Sequence, residues 1–345
     1  MVSNEIKRKL PGYVALGVLI SVTTFWTYWG AGEAYYEGWW GAWYNRVIYL
    51  IPAAVLLTFT LVGIRWPRRG GWTIIIVGGG IFVGWLVISE FNIVNLLKAL
   101  LLGGLAALVG VLFLLEARRQ TRLHSEGWTI HRNWFRRNIT YLLAIGLPLS
   151  VTIALSVYWL PIVLGRVDDG NRDTKLIKGN EVALVWAPAG PGWYEHHYSW
   201  NDIAFYGVPP VGIGEKPSYE DRDATIADMN TTGLCVYLSE DGLTIRNEPQ
   251  YIWRMPTVDE IVRSLVRHNE NAGCTWDGES MKAICQVLPD KETPLWAPDW
   301  APIYYWAIDE YDEHKAYFVS YNGRINYQPK SWGNQRHGYR FVREP

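Results

Sequence analysis

The sequence predicts an N-terminal all-α polytopic membrane domain of five transmembrane helices followed by a C-terminal α+β domain. Three observations carry that reading. Long apolar runs recur through residues 1–164, each about as long as a bilayer-crossing helix requires. Beyond residue 165 the apolar runs shrink to strand length, and one capped helical segment interrupts them. The charge also changes sign: residues 1–164 hold 14 Lys+Arg against 6 Asp+Glu, whereas residues 165–345 hold 18 against 27. The overall net charge of −1 hides two opposite halves. An acidic second half argues against a nucleic-acid partner, which needs a basic face for phosphates.

The spans are expected at 11–32, 47–64, 72–89, 94–115 and 139–164. The first follows Lys7, Arg8 and Lys9 and reads as an uncleaved helix, because its apolar run is long and lacks a small-x-small cleavage site. Residues 33–46 carry Tyr35, Tyr36, Trp39, Trp40, Trp43 and Tyr44, the composition of an interfacial belt. The third span contains Gly80-x-x-x-Gly84, a spacing that lets helices approach closely and is read as packing within the bundle. The fourth has Lys98 near its start, able to snorkel. The fifth carries Pro148 and Pro161, tolerated as a kink and an end.

Orientation follows from the basic residues. Lys7–Lys9, Arg65, Arg68 and Arg69, and Arg118, Arg119, Arg122, Arg132, Arg136 and Arg137 fall on one side of a five-span arrangement, while the opposite loops offer only Arg46. The N-terminus is thus expected in the cytoplasm and residues 165–345 outside. The segment 118–137, with Trp128, Trp134 and Phe135, reads as an amphipathic connector on the inner leaflet, with a cytoplasmic partner site as the alternative. No expected span carries an acidic residue at its middle, which weakens a proton- or ion-coupled transporter reading.

In the second half, 165–180 is polar and reads as a linker, and the outer domain is placed at 181–345. Glu181–Trp186 is strand-like, Ser199 or Asn201 caps a short helix, and 208–230 is an irregular loop. Thr257-x-x-Glu260 has the form of a capping box ahead of an apolar-periodic helix. Strands are expected at 303–307, 315–321, 324–328 and 338–343, with a turn at Asn322-Gly323. Trp186, Trp253, Leu265, Trp306, Phe318 and Phe341 are expected inside, and Arg340 is expected to meet a buried carboxylate. Cys235, Cys274 and Cys285 lie outside any C-x-x-C pattern; in an oxidising compartment they imply one disulfide and one thiol, with the pairing open.

Trp253-Arg254-Met255-Pro256-Thr257 followed by Glu260, Tyr305-Trp306, Ala316-Tyr317, Gly323, and Gly338-Tyr339-Arg340-Phe341-Val342-Arg343 together resemble the Lcl C-terminal domain family, a bacterial family of largely unknown function. Leu184-Val185-Trp186 resembles its opening, so the likeness covers about 181–343 and leaves the membrane half untouched. The resemblance implies the C-type-lectin-like fold of formylglycine-generating enzyme and a bacterial source; joined to the apolar spans and their basic flanks, it gives an expected bacterial inner-membrane protein with this domain in the periplasm or outside the cell. It also identifies Trp186, Trp253, Arg254, Pro256, Thr257, Glu260, Trp306, Gly338 and Arg340 as structural motif residues.

Catalytic chemistry finds little support. The late cysteine pair of formylglycine-generating enzymes has no counterpart after Cys285, and an H-x-x-x-H pair is missing. Trp200-Asn201-Asp202 and Glu248-Pro249-Gln250 resemble the calcium elements of sugar-binding lectins in reversed order and are read as coincidence. Glu195-His196-His197 lacks a third ligand, and the carboxylates of 309–313 read as an exposed acidic loop. No catalytic residue, metal or cofactor is expected. The expected role is recognition of an extracytoplasmic protein, glycan or envelope ligand, with Asp309, Tyr311, Asp312, His314, Tyr321, Asn322, Trp332 and Asn334 facing it. The rivals are an enzyme acting on an envelope substrate and a subunit of a larger membrane complex held through the helices. The bilayer is a partner in every reading.

Overall fold

Residues 2–39, 43–89, 91–125, 134–194, 198–208 and 222–345 are described by a computed structural model, with backbone alone at 2–10, 123–125 and 134–137. The chain divides into two units, Met1–Pro161 and Ile162–Pro345.

The first unit is helical. Helix α1 (Val2–Tyr36) is followed by α2 (Tyr44–Ile48), α3 (Ile51–Arg65) and α4 (Pro67–Ile88). Next, α5 (Ile93–Ala99) runs through a π-helical turn at Leu100–Gly104 into α6 (Leu105–Ser125), and α7 (Trp134–Leu164) closes the series. Among the described residues, four stretches are long and apolar enough to cross a membrane: Pro11–Tyr36, Pro67–Ile88, Ile93–Arg122 and Asn138–Leu164. The expected second span, 47–64, falls short. Helix α3 has 15 residues, about 22 Å of rise against a hydrocarbon core of about 30 Å. Pro52 accounts for the shortening, since it gives no N–H to residue 48 and its ring crowds that carbonyl.

The helices pack through glycine, but not through the expected pair. Gly80 and Gly84 face open space. Packing instead uses Gly71 and Gly78 of α4 against Gly110 and Gly103 on the next long helix. A Cβ on Gly78 would lie 2.8 Å from the Gly103 carbonyl oxygen, and one on Gly110 would lie 2.6 Å from that of Gly71. The repeat is seven residues on both helices, a face that the Gly-x-x-x-Gly spacing does not mark. Between α1 and α3, Thr23 and Thr60 are buried with their hydroxyls 3.4 Å apart. Most of α7 is exposed, as an apolar helix against lipid would be.

The second unit is strand-rich. Strands β1 (Lys175–Gly179), β2 (Val182–Trp186) and β11 (Val342–Arg343) form one antiparallel sheet in the order β1-β2-β11. A curled second sheet runs β10-β7-β8-β9, where β7 is Tyr304–Asp312, β8 Lys315–Ser320, β9 Ile325–Pro329 and β10 His337–Gly338, the last parallel to β7. Two small hairpins, β3–β4 (Val266–Arg267, Glu270–Asn271) and β5–β6 (Cys274–Thr275, Ile284–Cys285), lie between them in sequence. The expected strand 338–343 is two short pieces, with Arg340 bridged to Trp193 between them. Stretch 165–180, expected as a linker, contributes β1. It is also held by ion pairs from Arg166 to Asp290 (2.8 Å) and from Arg172 to Asp168 (2.7 Å) and Asp299 (2.9 Å). Its polarity serves pairing rather than solvation.

Short helices α8 (Trp200–Ala204), α9 (Ile226–Thr231) and α10 (Val258–Arg263) each begin with a capping box, on Ser199–Asp202, Thr225–Asp228 and Thr257–Glu260. Helices this short cannot stand alone, so the boxes and the buried face hold them. Trp186, Trp253, Leu265, Trp306, Phe318 and Phe341 are all buried.

The Trp253–Glu260 motif works as a clamp. The Arg254 backbone exchanges two 2.9 Å hydrogen bonds with Val342, and the Pro256 carbonyl accepts one from Ile308 N–H. The Arg254 guanidinium donates to both Glu260 oxygens at 2.6 and 2.7 Å while Glu260 also accepts from Thr257 N–H. One segment thereby joins α10, β7 and β11.

Among the described residues, Arg340 bonds to carbonyls rather than to a carboxylate. It is fully buried and donates to the carbonyls of Ala187 (2.8 Å), Pro294 (2.6 Å) and Leu295 (2.9 Å), with its guanidinium 3.6 Å from the centre of the Trp193 ring. Burial pulls its pKa down to about 9. A planar fork with five donors suits carbonyls from separate loops as well as it suits a carboxylate. Cys274 and Cys285 form the disulfide, and Cys235 is a buried thiol whose pKa burial pushes up to about 12.

Candidate functional site

The β7–β8–β9 sheet ends in a partly exposed aromatic set. Strand alternation puts Lys315 and Tyr317 on one face of β8, and the register sets Tyr317 opposite Tyr327 of β9. Tyr311 joins them from the end of β7, stacked on Tyr327 at 3.6 Å and 9°. Tyr317 meets both rings edge-on. Trp276, in the hairpin that Cys274–Cys285 closes, meets Tyr317 edge-on at 6.0 Å. The Lys315 ammonium lies 5.6 and 5.5 Å from the Tyr311 and Tyr327 ring centres. Tyr311 is 46% exposed. Its phenol is held above its ordinary pKa, chiefly by the hydrogen bond with Tyr327.

Beside these rings the turn joining β7 to β8 is pinned by polar groups. Asp312 accepts from His314 N–H at 2.9 Å and from the Lys315 ammonium at 3.2 Å. The His314 Nδ1 lies 2.8 Å from Asp223 Oδ2, and Asp223 in turn accepts from the Asn201 amide at 2.8 Å. That Asp223 contact leads the causes that raise the His314 pKa. Under the turn, the buried Lys330 ammonium donates to the carbonyls of Ala224 (2.7 Å) and Glu313 (2.8 Å) and to Glu310 (2.8 Å). All three of its protons are used.

The eight expected ligand-facing residues do not form one surface. Tyr311, Asp312 and His314 lie together at the hairpin end. Asp309 is half-buried, and its carboxylate accepts from Val258 N–H at 2.6 Å, adding to the cap of α10. Burial, with Glu260 and Asp259 near, raises its pKa. Tyr321 is buried against Trp296, with Arg166 over its ring. Asn322 shapes the β8–β9 turn by accepting from Arg324 N–H. Trp332 is half-exposed, and Asn334 accepts from Arg336 N–H at 2.8 Å and faces the buried His337 ring. Tyr317, Tyr327 and Trp276 are not among the ligand-facing residues expected from the sequence. The 315–317 alternation and the Asn322-Gly323 turn supply the register that finds the first two; Trp276 has no such signal.

The lectin-like triplet is used by the fold. The Trp200 indole donates to the Ala307 carbonyl, Asn201 bonds Asp223 and Ala224 N–H, and Asp202 closes a capping box. Glu195-His196-His197 and Trp128 lie outside the described residues, as does most of the 208–230 loop. Among the described residues, no group of three His, Cys, Asp or Glu is placed to hold a metal ion. The set as built offers ring faces, phenol hydroxyls and one ammonium. No known protein family, curated protein or solved structure matches this chain.

Proposed function

We propose that the chain is a bacterial inner-membrane protein that displays a non-catalytic recognition domain outside the cytoplasm, for a protein, glycan or envelope ligand. The observation that carries this reading is the Tyr311–Tyr327 stack, exposed at Tyr311 and half-buried at Tyr327, with Tyr317, Trp276 and Lys315 half-buried beside it. Rigid aromatic rings give large contact area at little conformational cost, and the neighbouring amide and carboxylate groups add adaptable hydrogen bonding. A C-type-lectin-like fold, as in the Lcl C-terminal family, is consistent with the pairing of the unit's early strand β2 with its last strand β11.

The five-span topology belongs to the same proposal. Helix α2 precedes α3 by two residues, Tyr49 and Leu50, that keep right-handed conformation. The two helices together supply the length that α3 lacks. A fifth crossing puts the basic helix ends on one side and the second unit opposite. The Cys274–Cys285 disulfide fits an oxidising compartment.

The test is a binding screen of the full chain in nanodiscs against glycans, peptidoglycan fragments and envelope peptides, with and without calcium. Tyr311→Ala and Tyr327→Ala are each expected to weaken a specific ligand by at least about tenfold. A ligand indifferent to both changes refutes the site. No ligand at all from well-folded protein turns the assignment to a membrane-complex subunit. That second reading is favoured by the open face of Gly79, Gly80 and Gly84 on α4.

A further inference from the structure

The helical unit holds a cavity of about 220 Å³, room for roughly seven waters at about 30 Å³ each. Its walls come from α1, α3, α4, α6 and α7, and it lies where the sequence clusters basic residues. Gly12 follows Lys7–Lys9, Ile64 and Pro67 flank Arg65, the α6 wall lies among Arg118 and Arg122, and Thr140 follows Arg136 and Arg137. If these helices cross a bilayer, their basic ends mark the headgroup level. Phe113 supplies an apolar wall, while Tyr13, Thr140 and Tyr141 bring polar tips.

Two opposite charges share this space. Glu116 is 9% exposed, and Arg119 donates to it from Nε (2.8 Å) and from Nη2; the Gln120 amide adds a third bond at 3.0 Å. Gly12 makes room for this carboxylate. A Cβ there would lie 2.8 Å from Glu116 Cγ and 2.9 Å from Oε2. A guanidinium has five N–H donors, and a carboxylate has about four acceptor positions. The internal bonds leave donors on Arg119 and acceptor capacity on Glu116. The cavity therefore presents a positive and a negative group side by side, one with hydrogen bonds left to donate and the other with room left to accept.

We propose that this cavity holds the headgroup of a zwitterionic aminophospholipid, with its phosphate toward Arg119 and its primary ammonium toward Glu116. An anionic headgroup without an amine meets the Glu116 carboxylate unfavourably. A choline headgroup carries a quaternary nitrogen that has no N–H to donate. An aminophospholipid satisfies both ends, and its acyl chains leave along the apolar helix faces. The proposal rests on the reading of the apolar helices as membrane-spanning, and not on the role of the aromatic set in the second unit.

The experiment is native mass spectrometry of the full chain, extracted in detergent and offered equal phosphatidylethanolamine, phosphatidylcholine and phosphatidylglycerol. The expected result is preferential retention of phosphatidylethanolamine. Glu116→Gln keeps the shape and removes the charge; it is expected to cut the preference over phosphatidylglycerol by about tenfold, the loss of one charge-assisted hydrogen bond. Arg119→Gln is expected to lower retention of both. Should Glu116→Gln fail to give monodisperse protein, Gly12→Ala displaces the same carboxylate and is read the same way. Equal retention of the three lipids by the unaltered protein overturns the proposal, as does a preference unchanged in the Glu116 variant. A chain that needs no detergent to stay in solution sinks the membrane reading itself, a result distinct from a detergent-bound chain without lipid preference.

Discussion

The two units solve the same problem, the burial of polar backbone, in opposite ways. In the helical unit the backbone satisfies itself, so buried hydroxyls bond locally: Thr27 donates to the Thr23 carbonyl and Thr60 to that of Leu56. Glycine then brings the helices together. In the second unit strands are short and loops carry much of the chain, and long cationic side chains reach inward to supply the missing donors. Lys330 and Arg340 are both buried, and most of their partners are main-chain carbonyls. Regular backbone lets the closest helix contacts fall to small residues, whereas irregular backbone is met by long cationic ones.

The largest test of this contrast is Arg340→Met, which fills similar space without donors. The Leu295 carbonyl keeps the Tyr305 hydroxyl at 3.2 Å, but those of Ala187 and Pro294 lose their Arg340 donor at about 1–3 kcal/mol each, so a loss upwards of about 2 kcal/mol is expected. Thermal unfolding of the full chain measures it, and hydrogen exchange over 337–343 reads it locally. A loss under about 1 kcal/mol means that water or rearranged loops replace the guanidinium.

A smaller effect of divided sign is expected in α4. Gly78→Ala forces a Cβ to 2.8 Å from the Gly103 oxygen and the Ala107 nitrogen, an overpacking cost of about 1–3 kcal/mol. Gly80→Ala meets open space and gains helix propensity of up to about 1 kcal/mol. Equal shifts in unfolding temperature for the two variants dismiss the glycine-packed face.

The smallest effect is electrostatic, and belongs to the surface rather than the interior. Asp223 raises the His314 pKa above its ordinary 6.5. The stabilisation this gives is complete below 6.5 and fades as pH climbs through the raised folded value. An NMR titration of His314 should show a pKa above 6.5, returning toward it in Asp223→Asn. An identical midpoint in both proteins removes the link between the turn and Asp223.

What was legible in the sequence follows the same division. Apolar length marked the long helices, because hydropathy is summed along a chain and needs no partner. At 47–64 hydropathy runs on unbroken, whereas the α-helix is interrupted at Tyr49 and Leu50, just ahead of Pro52. Local chemistry was also legible: Thr257 and Glu260 cap a helix by their spacing alone. Long-range pairing was not. Gly71 and Gly78 show their role only beside Gly103 and Gly110, and the carbonyls that receive Arg340 lie 45 to 153 residues away. The aromatic set was half visible for that reason. Tyr311 was found within its own acidic turn, while Tyr327 and Trp276 reach it through strand register and a disulfide-closed hairpin. Tyr321 is expected to face a ligand because it lies in the closing strands and loops, yet just past the end of β8 its ring is buried against Trp296.

The position of Arg340 also sets an order of assembly. Synthesis delivers the carbonyls of Ala187, Pro294 and Leu295 well before the guanidinium that binds them, and β2 before the β11 strand that completes its sheet. Every other element of the unit except β11 is made first and must wait with its interior unsealed. Such a unit closes from its tail backward, like a bag drawn shut by its last stitch. Its folding cannot finish before residue 343 has been made, and until then its interior stays open to proteases and chaperones.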